Sequence, residues 1–134
     1  MWLYQNIEFN EPIEKYVGFV YLITCLTTNR KYIGKKLFWS SRTKQVKGKK
    51  KRFKVESDWK AYWSSSEELK ADVKRLGEEN FKREIIHLCY GKGELSYLEL
   101  REQIDQRALE YPSKWYNNLI HCRIHGSHLK TLRK

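Results

Sequence analysis

Apolar and polar positions change period several times along the chain, and each change marks an element. Val17 to Cys25 reads Val-Gly-Phe-Val-Tyr-Leu-Ile-Thr-Cys, a β-branched and aromatic run too short for an ordinary helix and suited to a buried strand. Thr27-Thr28-Asn29 then supplies turn chemistry, and Lys31-Tyr32-Ile33-Gly34 resumes the strand pattern, so the two runs predict a β-hairpin. Beyond Gly34, Leu37, Phe38 and Trp39 precede Gly48, and Phe53 and Val55 follow it. This fits a second, projecting hairpin or a long loop.

Helical spacing takes over further along. Ser57-Asp58 precedes Trp59, and Ser64-Ser65-Ser66 precedes Glu67-Glu68; such side chains accept hydrogen bonds from the free N–H groups of a first helical turn. Leu69, Val73 and Leu76 recur at i, i+4 and i+7 with Gly77 behind them, which predicts an amphipathic helix over 67–76. Phe81 to Cys89 reads as a third strand, ended by Gly91 and Gly93. A second helix is expected from near Glu94 to about Tyr111. Tyr97, Leu100, Ile104 and Ala108 form one stripe on it and Leu95, Leu98 and Leu109 another, so it should be covered on two sides. Pro112 and Ser113 stop it, Trp115 and Tyr116 return to apolar packing, and a basic tail follows.

The order β-β-α-β-α predicts an α+β domain, a small antiparallel sheet of about three strands flanked by helices. At 134 residues the chain has room for one domain over 1–134. Its packed core is expected over about 17–120, with a basic insertion over about 35–56 and a basic tail over 121–134. Hydrophobic residues at 40% and aromatics at 14% exclude a disordered chain. Trp59, Tyr62, Trp63 and Trp115 are assigned to packing rather than to stacking on bases.

Charge changes the picture. The net charge is +11, and ten basic residues with no acidic one lie between Lys35 and Lys54, leaving +1 for the rest of the chain. Lys35, Lys36, Lys44, Lys47, Lys49, Lys50, Lys51, Arg52 and Lys54 are therefore candidate phosphate contacts, and the expected partner is DNA, double-stranded by preference. No apolar run approaches the roughly 20 residues of a membrane span, and the first residues carry no signal pattern, so no membrane partner and a cytoplasmic location are expected. Cys25, Cys89 and Cys122 form no even-numbered framework and read as free thiols. Cys122, His125 and His128, with His121 beside them, fit no common zinc spacing, even with His87 or Cys89 added, and no zinc site is expected there.

Phe19-Val20-Tyr21-Leu22-Ile23 and Tyr32-Ile33-Gly34 place two tyrosines eleven residues apart on paired strands. Arg42, Ser64-Ser65-Ser66, Glu99 and Tyr116-Asn117 follow in order. In this the chain resembles the GIY-YIG nucleases, from about Gly18 to Ile120, although its first element reads Phe-Val-Tyr where the family has Gly-Ile-Tyr. The resemblance implies a small, single-domain endonuclease of phage or mobile-element type, monomeric or homodimeric. It also implies DNA hydrolysis with Mg²⁺, for which Mn²⁺ substitutes. Tyr21 or Tyr32 would be the general base, Arg42 the phosphate clamp and Glu99 the metal ligand, with Glu102 as the alternative in register. Asn117, or Asn118, would orient a phosphate or the backbone. Mg²⁺ commonly takes only one or two protein oxygens, so a single carboxylate suffices. A free phenol has a pKa near 10, so this role requires cations such as Lys35, Lys36 or Arg42 to lower it.

Overall fold

The apolar run after Val17 becomes an interior strand of the sheet, paired on both sides. It forms strand β3 (Gly18–Cys25), buried at every residue but Leu22. The computed structural model describes all residues except Cys122, Ile124, Arg133 and Lys134. Strand β4 (Lys31–Leu37) returns antiparallel to β3, with Tyr21 opposite Gly34 and Ile23 opposite Tyr32. The turn between them holds Asn29 at φ 61°, a left-handed conformation that asparagine tolerates better than most residues. On its other side β3 pairs antiparallel with β7 (Phe81–Cys89). Val20 lies opposite His87 and Tyr21 opposite Ile85, so Ile86 is the extra residue of a bulge. Bulges re-aim the side chains beside them, and this one stands immediately before Tyr21.

The sheet is wider than three strands and is not wholly antiparallel. Strand β1 (Trp2–Tyr4) joins β7 in parallel and β2 (Ile7–Glu8) joins β1, giving the order β2-β1-β7-β3-β4. Trp2, Phe9, Ile13 and Tyr16 are all buried in the larger core cluster, so packing begins at Trp2 rather than near residue 17. A parallel pair has no local turn to announce it, which is why the strand pattern alone did not include β1.

Helix α1 (Glu67–Leu76) has the expected bounds. Ser66 Oγ accepts a hydrogen bond from the Leu69 N–H at 3.2 Å, Glu67 and Glu68 occupy the first turn, and Lys74 and Arg75 the last, so both ends complement the helix dipole. Leu69 and Val73 are the buried face. Helix α2 (Lys92–Asp105) is shorter than its apolar pattern, which continues toward Tyr111. Arg107 takes φ 54°, and the N–H groups of Arg107 and Ala108 turn back to the carbonyls of Ile104 and Gln103, both at 3.0 Å. This is a Schellman closure with arginine where glycine is usual. Ile104 and Leu109 are consequently exposed, and the expected two-sided cover is lost at this end.

The basic insertion is a hairpin. Strands β5 (Trp39–Val46) and β6 (Lys49–Glu56) pair only with each other, across a Lys47-Gly48 turn in which both φ angles are positive, as a two-residue hairpin turn requires. A lone two-stranded ribbon is marginal by itself, and this one is held at its root. Fully buried Phe38 donates its N–H to Val17 O at 3.0 Å, Trp39 Nε1 donates to Tyr16 O at 2.9 Å, and Ser57 Oγ donates to Leu37 O at 2.7 Å.

The free edge of β4 is covered by the segment after Pro112. Lys31 N–H donates to Lys114 O at 2.9 Å and Tyr116 N–H to Lys31 O at 2.8 Å, so the start of this edge is already paired. Tyr116 also has Arg30 over its ring at 4.3 Å and donates its hydroxyl to Asp72 Oδ2 at 2.7 Å. That hydrogen bond, then Arg75, holds the Asp72 carboxyl below its usual range. No helix among the described residues is long and apolar enough to cross a membrane.

Tyr116→Phe should therefore destabilise the protein by about 1–2 kcal/mol at pH 7, the scale of one partly buried hydrogen bond to a charged group. Because the folded pKa of Asp72 is depressed, this contribution is present above the unfolded carboxylate pKa and fades as pH falls through the folded one. Urea unfolding of both proteins at pH 7 and pH 3 checks it. A difference that does not shrink at the lower pH contradicts the assignment.

Candidate active site

Strands β3 and β4 and helix α2 enclose a polar cleft of about 370 Å³ whose lining includes Tyr21, Tyr32, Lys35, Ser65, Glu99 and Asn118. Two of these come from facing strands. Tyr21, on β3, stands beside the β7 bulge and is 1% exposed, its ring 5.4 Å from that of Trp2 and 6.1 Å from those of Tyr32 and Tyr62. Its cross-strand partner is Gly34. A Cβ on Gly34 would lie against the Tyr21 hydroxyl, 2.6 Å from the ring carbon that bears it, and 2.8 Å from the Tyr32 ring. Only a residue without a side chain lets both rings sit there.

Tyr32 is half-buried at the cleft, with its hydroxyl 3.1 Å from Ser65 Oγ. Ser65 comes from the serine run that opens α1; the sequence marks it as capping chemistry, and it faces the cleft as well. Glu99 stands on α2. Burial raises its carboxyl above the ordinary range, while the Lys35 charge and the Lys35 backbone N–H pull it partway back. Lys35 Nζ donates to Ser96 Oγ at 2.8 Å.

The tyrosines do not meet the expectation of a lowered pKa. Burial holds Tyr21 well above its usual value, and the neighbouring Tyr32 and Tyr62 add to this. Tyr32 is raised too, chiefly by burial, with the Ser65 hydrogen bond working in the opposite direction. Desolvation outweighs the cations because two of the three named for this purpose are directed elsewhere. Lys36 Nζ is 2.6 Å from Asp58 Oδ1 and lies over the Tyr62 ring at 4.1 Å. Arg42 is exposed on β5 opposite Phe53 and is absent from the cleft lining.

Other expected residues are sorted by geometry as well. Asn117 is buried, accepting from the Ile33 N–H at 3.0 Å and donating to Ile33 O at 2.8 Å. Both ends of its amide are thus committed to β4, and its neighbour Asn118 lines the cleft instead. Glu102 faces away, its Oε1 2.9 Å from His87 Nε2. Buried Gln103 was not singled out, although it stands four residues after Glu99 on the same helix face; its Nε2 donates to Ile33 O at 3.1 Å. His121 lines the cleft from a segment with no periodic signal. Of the tail ligand candidates, Cys122 lies outside the described residues, while His125 Nδ1 accepts from the Ser127 N–H and His128 Nδ1 from the His125 N–H in a local cap. The basic residues of β5, β6 and their turn form no ion pair among the described residues.

A family model described as "Putative endonuclease segE, GIY-YIG domain" matches residues 2–120. The chain belongs to the GIY-YIG endonuclease family. No curated protein and no solved structure matches it. Membership implies nuclease activity in general, and the match takes in β1, in line with the place of that strand in the sheet. Phe19, the first residue of the Phe-Val-Tyr element of this GIY-YIG domain, is fully buried with its ring 4.9 Å from Phe38 and 5.0 Å from Trp2. The glycine that the cleft geometry requires is the one of the second element.

Gly34→Ala should displace the Tyr21 ring and lower stability by about 1–3 kcal/mol, the usual cost of overpacking. Tyr21→Phe should relieve part of that cost, because the clash is centred on the hydroxyl. Thermal denaturation of the two single variants and the double variant measures this. Purely additive effects would show that residues 21 and 34 do not collide.

Proposed function

We propose that this GIY-YIG domain is a metal-dependent endonuclease that hydrolyses DNA phosphodiester bonds in the cleft of Tyr21, Tyr32, Lys35 and Glu99. The observation that carries the reading is the convergence of one desolvated carboxylate, two phenols and one lysine on a single cleft. Glu99 fits a hard divalent cation. Its carboxyl is half-buried, burial raises its pKa against the pull of Lys35, and no second acidic residue lines the cleft among the described residues. One carboxylate with open space beside it matches the habit of Mg²⁺, or of Mn²⁺ in its place, of keeping waters and phosphate oxygens as its other ligands. Bound there, the ion would neutralise charge on the phosphate and acidify a water.

The chain's own groups divide the remaining work. Lys35 Nζ, now on a neutral serine hydroxyl, is the cleft's cation for a non-bridging phosphate oxygen. Tyr32 is the better general base of the two tyrosines, being less buried and already bonded to a hydroxyl that stabilises its phenolate. Tyr21 keeps its proton and serves as a fixed donor. Asn117 and Gln103 are positioning residues, since both hold the Ile33 backbone between Tyr32 and Gly34. Arg42 belongs with the hairpin cations, which contact the phosphates of duplex DNA on either side of the cleft. A DNA-binding module without catalysis is the second reading, favoured by a cleft lining that includes no arginine among the described residues.

Plasmid cleavage with and without Mg²⁺ separates the two. Glu99→Gln should abolish cleavage and leave DNA affinity within about threefold, because the hairpin supplies most of the binding charge. Tyr32→Phe should lose about two to four orders of magnitude, and Glu102→Gln should stay active. Full activity in Glu99→Gln and Tyr32→Phe would leave DNA binding as the function.

Replacing Lys49, Lys50 and Lys51 together by Ala should flatten the log–log dependence of duplex affinity on salt by about 0.9 per lost phosphate contact. An unchanged slope removes the hairpin from the interface.

A further inference from the structure

A second cavity, of about 630 Å³, opens between the root of the hairpin and the first turn of α2. Its walls include Lys35, Lys36, Trp39, Ser57, Lys92 and Ser96, and no acidic side chain lines it among the described residues. Lys35 lines both this cavity and the cleft, so an anion held by Lys35 stands at the junction of the two. Lys36 is committed to Asp58 and the Tyr62 ring. Lys35 and Lys92 form no ion pair among the described residues, and the Lys35 charge acts on Glu99 from across the cleft.

Trp39 supplies what the cleft lacks. The rings of Tyr21 and Tyr32 pack against each other, whereas Trp39, like Tyr32 half-buried and packed on the core, forms a wall of this second cavity. Its one polar group is already satisfied, with Nε1 donating to Tyr16 O at 2.9 Å. The indole is thereby fixed in orientation and offers an aromatic surface that need not rearrange. Lysine ammonium groups, serine hydroxyls and a rigid aromatic wall within one space are the complement of a nucleotide, with its phosphate, its polar edges and its π-face. The volume lies within the roughly 300–1,000 Å³ of small-ligand sites.

We propose that this cavity is a nucleotide-binding subsite, which receives one unstacked nucleotide beside the scissile phosphate, its base on Trp39 and its phosphate between Lys35 and Lys92. The position of the scissile phosphate rests on the nuclease reading above. Drawing a base out of a duplex costs pairing and stacking, so the subsite favours substrates in which a base is easily released: flexible pyrimidine–purine steps, mismatches and single strands. It is therefore a source of preference among DNA sites that needs no contact from the hairpin to a base edge.

The test is equilibrium binding without metal, so that nothing is cleaved. End-labelled tetrathymidylate and a tetranucleotide of abasic residues with the same charge are titrated by fluorescence anisotropy. The wild-type protein should bind the thymidine oligonucleotide about tenfold more tightly, within the range of one stacked base. Trp39→Ala should remove this preference while binding the abasic oligonucleotide as before, and Trp39→Phe should restore most of it. Lys92→Ala should weaken both oligonucleotides alike and lower the salt slope by about 0.7. Melting curves identify the folded variants. Trp39→Leu, which keeps an apolar side chain at the hairpin root, carries the test if Trp39→Ala does not fold. Equal wild-type affinity for the two oligonucleotides overturns the proposal, as does a preference that survives in folded Trp39→Ala or Trp39→Leu. A protein that keeps the preference and cleaves nothing sinks the proposed nuclease function alone, and one that cleaves without any preference sinks the subsite alone.

Discussion

The ring of Tyr21 lies across β4 at the one position where a Cβ would fill its place. Gly34 therefore lets a large polar aromatic be fully buried in the sheet and still bring its hydroxyl to the edge of the cleft. Much else supports that contact from both sides. The bulge at Ile86 precedes Tyr21 and Trp2 packs against its ring, while Gln103 and Asn117 hold the backbone of Ile33 beside the glycine. Because Gln103 is on α2 one turn from Glu99, the same hydrogen bond that steadies β4 also ties the helix carrying the carboxylate to the strand carrying the phenol. Strand, helix and C-terminal segment are thus joined at one backbone unit, and the cleft is what they leave open.

Burial and charge compete in that cleft, and burial prevails in the free protein. Both tyrosines and Glu99 are shifted toward their neutral forms by desolvation, with Lys35 the one lysine lining the site among the described residues. Most of the chain's excess positive charge is carried instead on an exposed hairpin, where lysines and arginines face water at little desolvation cost. This division suits an enzyme that gains affinity from a polyanion at a distance and completes the charge of its site only when phosphate and cation arrive. A site that is electrostatically incomplete when empty is compatible with a substrate that brings several negative charges of its own.

The elements with a clean local signature were legible in the sequence. Helix α1 was readable because its cap, its i, i+4, i+7 stripe and its terminal glycine agree, and β3 and β7 because β-branched and aromatic runs end at turn residues. Strand β1 was not, since it pairs in parallel with a strand some eighty residues away in sequence. The end of α2 was misread because arginine occupies the left-handed closing position. Within the site, the resemblance pointed to Tyr21, Tyr32 and Glu99, and these meet in one cleft. It also pointed to Arg42 and Asn117, which lie on the hairpin and in the sheet. The first stands apart because β5 pairs only with β6 and carries it out on the ribbon, and the second because an amide that can pair with both N–H and C=O of one residue suits a buried strand edge. The Trp39 wall had no sequence signal separable from ordinary packing.

The claim on which the functional account depends is that a divalent cation binds at Glu99, beside the tyrosines, and not at another carboxylate of the surface. Crystals grown with Mn²⁺ and a DNA duplex, measured at the manganese absorption edge, address it directly. The account predicts an anomalous peak at the Glu99 carboxylate within the cleft, lost in crystals of Glu99→Gln. A peak at Glu102 and His87, or cleavage of the duplex by a protein that shows no manganese at Glu99, would contradict it.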